Sequence, residues 1–242
     1  MPPPRLLVFD LDGTLIDSSR DLCNSVNAAL VHVGRPELPN ELISSYIGDG
    51  AAMLVRRALG DPNDLDSQQP ADSANDLFHR AFDYFLDYYR VHKLDFTLPY
   101  PGVMDSLSTI RARHPHLPMA VLTNKPVIPS RAICEALGLA PFFFQNYGGN
   151  SFPTKKPDPE GLITLIAEAS VLMSTPIGSK DTVMIGDSDV DVLTARRCGA
   201  RSLGCSFGLA PHTLALANPD ITVTSALEWP TALGLCLFLP RT

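Results

Sequence analysis

No Cys-x-x-Cys pair occurs among the five cysteines, Cys23, Cys134, Cys198, Cys205 and Cys236, which are scattered along the chain. This spacing argues against a disulfide framework and reads as reduced, buried thiols of an intracellular protein. Long apolar runs are also missing. The early run 6–9 is stopped by Asp10 and is too short for a secretory signal, and the run 233–239 is far too short to span a bilayer. Basic charge is not in excess, since the formal net charge is −7 and the isoelectric point about 5.3. That balance speaks against a nucleic-acid or membrane partner. It permits an anionic small substrate, because a metal ion and a few local cations can dominate a small site. Internal repeats and low-complexity tracts are absent. The expectation is a soluble, cytoplasmic protein, monomer or homodimer.

What is present suits a buried core. Hydrophobic residues make up 45% and charged residues 19% of 242 residues, room for one large domain or a core with a smaller insertion. Short apolar runs alternate with amphipathic segments, and the strand candidates are 5–10, 119–123, 182–186 and 201–205, with a weaker one at 221–223. The alternation predicts a parallel sheet with helices on its faces. It is interrupted between Asp17 and Leu98, where only helical periodicity is found. Leu22, Val26, Leu30 and Val33 share one face, Leu54, Val55, Ala58 and Leu59 another, and 76–93 carries Leu77, Phe78, Ala81, Phe82, Phe85, Tyr88 and Tyr89. The polar stretch 61–75 reads as a solvated loop. The predicted organisation is therefore an α/β core from 1–16 and 99–242, with a helical insertion at 17–98.

In open α/β sheets ligands sit beyond the carboxyl ends of the strands, so those ends are where chemistry is sought. Asp10 and Asp12 follow the first apolar run. Two carboxylates at i and i+2 in a partly dry pocket repel, and a hard divalent cation relieves that cost. A solvated strand end capping the next helix would explain the same pair. Thr123-Asn124-Lys125 follows the second run, where a hydroxyl and free backbone N–H groups can hold phosphate oxygens or simply form a turn. Lys155-Lys156-Pro157-Asp158-Pro159 precedes a helix. A lysine fixed there can neutralise a phosphoryl group, or be a solvated basic turn. Gly186-Asp187-Ser188-Asp189-Val190-Asp191 puts three acids into five residues at a strand end, more than helix capping requires. Entry into a helix at Ser188 would bring Asp187 and Asp191 to one point.

In this order, these four segments resemble the motifs of the haloacid dehalogenase (HAD) superfamily of phosphatases, and the resemblance covers nearly the whole chain. Asp-x-Asp-Gly-Thr at residues 10–14 and Gly-Asp-Ser-x-x-Asp at 186–191 are its most specific parts. The helical insertion is similar to the type C1 cap of that superfamily, and Tyr100-Pro101-Gly102-Val103 to its re-entry into a Rossmann-like core. Within the superfamily the chain is most like bacterial phosphoglycolate phosphatases. That likeness rests on Phe9-Asp10-Leu11-Asp12-Gly13-Thr14-Leu15-Ile16-Asp17-Ser18, Ile47-Gly48-Asp49-Gly50-Ala51 and Lys156-Pro157-x-Pro159.

The resemblance implies a magnesium-dependent hydrolase of small phosphomonoesters, 2-phosphoglycolate foremost, acting through an aspartyl-phosphate. It implies Asp10 as nucleophile and Asp12 as acid and base. On the same resemblance the metal would be held by the Asp10 carboxylate, the Asp12 backbone carbonyl and Asp187, with Asp191 supporting. Thr123 and the backbone N–H of Asn124 would grip the phosphoryl oxygens, and Lys156, rather than Lys155, would offset the charge. Arg56, beside Arg57, is a candidate for a substrate carboxylate, and a cap that closes over the site is expected to select the substrate. Alternatives are a sugar-phosphate or nucleotide phosphatase, a phosphomutase, and a binding scaffold without catalysis. His114 and His116 lack partners at metal spacing and read as surface residues.

Overall fold

The computed structural model describes residues 3–60 and 71–235, with side chains described from residue 76 in the second stretch. Four apolar residues in succession can be buried on both faces of a sheet. Leu6–Phe9 (β1) is buried in that way. The chain continues through a two-residue strand, Ile16–Asp17 (β2), to four helices, Ser19–His32 (α1), Asn40–Ser44 (α2), Ala51–Ala58 (α3) and Ala71–His92 (α4). It returns through Leu98–Pro99 (β3), which pairs with β2. Strands and helices then alternate: Val103–Arg113 (α5), Met119–Leu122 (β4), Val127–Ala136 (α6), Gln145–Tyr147 (β5), Glu160–Leu172 (α7), Thr182–Gly186 (β6), Asp189–Cys198 (α8), Arg201–Cys205 (β7), Pro211–Ala217 (α9), Ile221–Val223 (β8) and Trp229–Ala232 (α10).

Six of the strands form one parallel sheet in the order β5-β4-β1-β6-β7-β8. Strand alternation divides its side chains between two cores. Leu7, Phe9, Met119, Val121, Val183 and Ile185 face one layer, with Val103, Leu107, Ile110, Ile133 and Trp229. Leu6, Val8, Ala120, Leu122 and Met184 face the other, with Leu162, Leu165, Ala169 and Ala195. The result is a three-layer α/β/α sandwich, the fold class that the apolar runs predict. The strand order reverses around β1, which makes its C-terminal end a topological switch point. Phe9 pairs in register with Val121 and Ile185, so Asp10, Thr123 and Asp187 emerge within a residue or so of one level.

Contacts divide the chain into two compact units, Asp17–Leu98 and the segments flanking it. The first unit has its own core: Leu22, Val26 and Leu30 of α1, Ile43 of α2, Leu54 and Val55 of α3, and Phe78, Ala81, Phe85 and Tyr89 of α4. The aromatic stripe of α4 is therefore core, with Phe85 and Tyr89 stacked at 5.7 Å. Within this unit, buried Asp21 accepts hydrogen bonds from Phe96 N at 3.0 Å, Thr97 N at 2.9 Å and Thr97 Oγ1 at 2.7 Å. This clasp ties the start of α1 to the segment leading back to β3. Asp21→Ala would orphan all three donors. We predict a loss of about 3 kcal/mol in the stability of this unit, measured by urea unfolding.

Three local expectations need revision. Strand β5 is absent from the sequence reading because Gln145, Asn146 and Tyr147 are half-buried residues on a sheet edge, not an apolar run. The five-residue α2 is too short to show periodicity. The solvated loop read at 61–75 lies outside the described residues over 61–70, and its last part is helical, since α4 starts at Ala71. Polar residues that signal a loop also suit a first helical turn, which is why 71–75 reads as a loop from sequence although it is helical. Residues 236–242, the end of the apolar tail, also lie outside the described residues. Among the described residues no helix is long and apolar enough to cross a membrane. His116 is exposed, while His114 is half-buried with Nε2 2.9 Å from the Leu235 carbonyl.

Candidate active site

Asp10 leaves β1 with its N–H still on the sheet, donating to the Ile185 carbonyl at 2.8 Å. Its side chain is therefore set by the strand rather than by a loop. The Asp10 side chain is 12% exposed. Lys156 Nζ stands 2.8 Å from Asp10 Oδ1, close enough to form an ion pair. That oxygen nevertheless receives no aligned hydrogen bond. Beyond Asp10 the chain folds back tightly, with Gly13 N bonded to Ile16 O and Leu15 N to Leu11 O, both at 2.9 Å. In this turn the Asp12 carboxylate meets Lys125, whose Nζ is 3.0 Å from each of its oxygens.

The second acidic segment lies at the end of β6. Ser188 precedes α8, and Asp191 sits in the first turn of that helix. Asp191 Oδ2 accepts from Ser188 N at 3.2 Å and Ser188 Oγ at 2.9 Å, while its Oδ1 accepts from Lys156 at 2.6 Å. Asp187 Oδ2 accepts from the backbone N–H groups of Leu209 at 2.7 Å and Ala210 at 3.2 Å. Glycines make room for these carboxylates. A Cβ on Gly13, where φ is +86°, would lie 2.1 Å from Asp187 Oδ2, and one on Gly186 would lie 2.1 Å from Asp191 Cγ. Neither position tolerates a side chain without moving an acid.

Most sequence-predicted residues converge here. Asp10, Asp187 and Asp191 each offer an oxygen within 4.8 Å of the others. Thr123 and Asn124 are buried in the turn after β4. Thr123 Oγ1 accepts from Lys125 N at 3.2 Å, and Asn124 Nδ2 donates to the Lys156 carbonyl at 3.0 Å, tying that turn to the lysine segment. Lys156 is buried while Lys155 is exposed. The Asp12 side chain stands apart from the acid cluster, with Lys125. Arg56 lies in the other unit on α3, its guanidinium 3.9 Å from the centre of the Phe78 ring. The sequence reading quotes Gly13 and Lys125 within their motifs without a role of their own, and gives no part to Gly208 or the Leu209–Ala210 amides. Lys125 had one usable signal, its place beside Thr123 at a strand end. Gly208 is a glycine just beyond β7, and a Cβ on it would come within 2.3 Å of Asp187 Cβ.

One ammonium, Lys156, pairs with two of the three buried carboxylates, Asp10 and Asp191. Burial raises the Asp10 carboxyl to about 6, with Asp191 adding to the rise and Lys156 opposing it. Asp187 is held well above the ordinary carboxylate range by burial and by its acidic neighbours, although the Leu209 and Ala210 amides pull the other way. Lys156, despite burial, is pushed up by Asp10 and Asp191 and stays charged. The acids therefore lack positive charge. A hard cation with oxygen ligands fits that deficit, and the buried Asp10 oxygen without a hydrogen bond is a ready ligand atom. Asp191 has both oxygens engaged and is better placed to brace Lys156.

Comparison with known proteins gives the family. Residues 7–205 match the model of the haloacid dehalogenase-like hydrolase family. The chain is 38% identical over 224 residues to a phosphoglycolate phosphatase of Chromobacterium violaceum, covering 93% of this chain and 94% of that one. It is 39% identical over 218 residues to a phosphoglycolate phosphatase of Neisseria meningitidis, covering 90% and 86%. A crystal structure described as a predicted phosphoglycolate phosphatase from Haemophilus somnus superposes with a TM-score of 0.84 at 28% identity, covering 96% of this chain and 99% of that one. With this match, and with acids and a lysine gathered at the switch point of a parallel sheet, the chain belongs to the haloacid dehalogenase-like hydrolase family.

Proposed function

We propose that this protein is a magnesium-dependent phosphatase that hydrolyses 2-phosphoglycolate through a phosphoryl group carried on Asp10. The observation that carries the reading is the placement of Asp10: a buried carboxylate fixed by β1, paired with Lys156 at 2.8 Å, and grouped with Asp187 and Asp191. A carboxylate that is dry and fixed by a strand is a competent nucleophile toward phosphorus.

In this reading Asp10 attacks the phosphorus and the ester oxygen leaves. Asp12, two residues on, gives the departing alcohol its proton and later takes one from the water that releases phosphate. Thr123, with the backbone N–H of Asn124, holds phosphoryl oxygens, and Lys156 offsets charge on Asp10 and the incoming phosphate. Asp10, the Asp12 carbonyl and Asp187 would hold the metal, and Asp191 keeps Lys156 in place. When bound, the cation neutralises the acid cluster and draws charge from the phosphoryl oxygens. Asp17–Leu98 acts as the cap, and Arg56 is its candidate contact for the substrate carboxylate.

The substrate comes from the names borne by the Chromobacterium and Neisseria relatives. The test is phosphate release from a panel of small phosphomonoesters in the presence of magnesium, ranked by kcat/KM. The reading expects 2-phosphoglycolate to rank first. A sugar phosphate or nucleotide in first place would reject the substrate, and no release from any ester would reject the phosphatase.

A further inference from the structure

Taking Asp12 as the acid and base of the reaction proposed above, we propose that Lys125 is its positioning residue, aiming the Asp12 carboxylate at the water that releases phosphate from Asp10. Lys125 Nζ lies 3.0 Å from both Asp12 oxygens, and the two side chains are 5% and 14% exposed. An exposed lysine–carboxylate pair adds little and wanders among rotamers, whereas a buried one is held in a single arrangement. The lysine's own backbone is pinned on both sides. Its N–H donates to Thr123 Oγ1 at 3.2 Å and its carbonyl accepts from Gly149 N at 2.9 Å. Gly148 packs so closely that a Cβ there would come 2.5 Å from that carbonyl oxygen. The ammonium therefore approaches Asp12 from a fixed direction set by the end of β4.

The two buried lysines also divide the work. Lys156 is taken up by Asp10 and Asp191, and Lys125 meets Asp12. With both oxygens held by the Lys125 ammonium, the Asp12 carboxylate is kept facing one way. That suits the second half of the reaction. There the water oxygen bonds to phosphorus, the bond from phosphorus to the Asp10 oxygen breaks, and the water proton passes to Asp12. Nothing is oxidised or reduced. In the first half the departing alcohol needs a proton from the same group. An ester whose leaving group departs without one isolates the step that Lys125 serves.

The experiment uses 4-nitrophenyl phosphate, whose nitrophenolate needs no proton to leave. Steady-state kcat and KM, and the fraction of enzyme carrying phosphate on Asp10 after rapid quenching, are compared for wild type, Lys125→Met and Lys125→Arg. We expect Lys125→Met to lower kcat by about tenfold or more with KM nearly unchanged, and to raise the phosphorylated fraction. Lys125→Arg, which can still span both oxygens, should recover most of the rate. Lys125→Gln replaces Met where Met fails to fold, with the same direction expected. A rise in KM at constant kcat would overturn the proposal, because Lys125 would then be gripping substrate. So would a fall in kcat without added phosphoenzyme. Wild-type turnover that never labels Asp10 would reject the underlying mechanism, and this proposal with it, before any variant is made.

Discussion

Asp10→Asn is expected to abolish turnover, lowering kcat by on the order of 10⁴- to 10⁶-fold, while the protein remains folded. The amide has almost the same shape as the carboxylate but is a far poorer nucleophile. Folding should not suffer, because the wild-type carboxylate is buried beside Asp187 and Asp191 and shares Lys156 with Asp191. Removing one of the three relieves repulsion. The metal-free variant should therefore melt no lower than metal-free wild type at neutral pH. Phosphate release and thermal melting on the same preparation check both halves. A variant that turns over at the wild-type rate would remove Asp10 from the mechanism.

The second large effect links metal, protons and stability. The Asp10 carboxyl is raised from an ordinary value of 3.8 to about 6 in the metal-free fold, mainly by burial. Between those values the folded protein holds a proton that the unfolded chain has released. Stability then falls as pH rises through that window, because the folded state must ionise a group that prefers to stay neutral. Below the ordinary carboxylate value both states are protonated and the penalty disappears. Asp187 is raised in the same direction and adds to the effect. The difference in unfolding free energy between Asp10→Asn and wild type, without metal, should grow with pH from about 4 to about 6 by on the order of 2 kcal/mol. Magnesium at about 100 times its dissociation constant should return close to 3 kcal/mol. Chelation should abolish phosphate release, and added magnesium should restore it. Activity indifferent to chelation would contradict the metal assignment.

Much of this molecule is legible in its sequence, for identifiable reasons. Strands buried on both faces favour apolar residues, so β1 and β4 appear as uninterrupted runs and β6 as Val183-Met184-Ile185, whereas the half-buried edge strand β5 shows no such run. The rule that ligands gather at strand ends then places Asp10, Thr123 and Asp187 together without knowledge of any contact. Local helix geometry does the same for Asp187 and Asp191. The unread features are those set by packing across long sequence separations. Nothing in the chain says that Lys125 meets an acid 113 positions away, or that amides at residues 209 and 210 point at Asp187. The glycines beside the acids carry meaning only once the acids have positions. Arg56 illustrates the reverse problem: its charge is visible in the sequence, its place over Phe78 is not.

The central claim is that phosphate passes through a covalent bond to Asp10. It is tested most directly by acid-quenching the enzyme during turnover of labelled phosphomonoester, digesting it, and locating the label by mass spectrometry. The account predicts a base-labile phosphoryl group on the peptide containing Phe9-Asp10-Leu11, absent from Asp10→Asn. Label on another residue, or steady turnover with no labelled peptide, would contradict it.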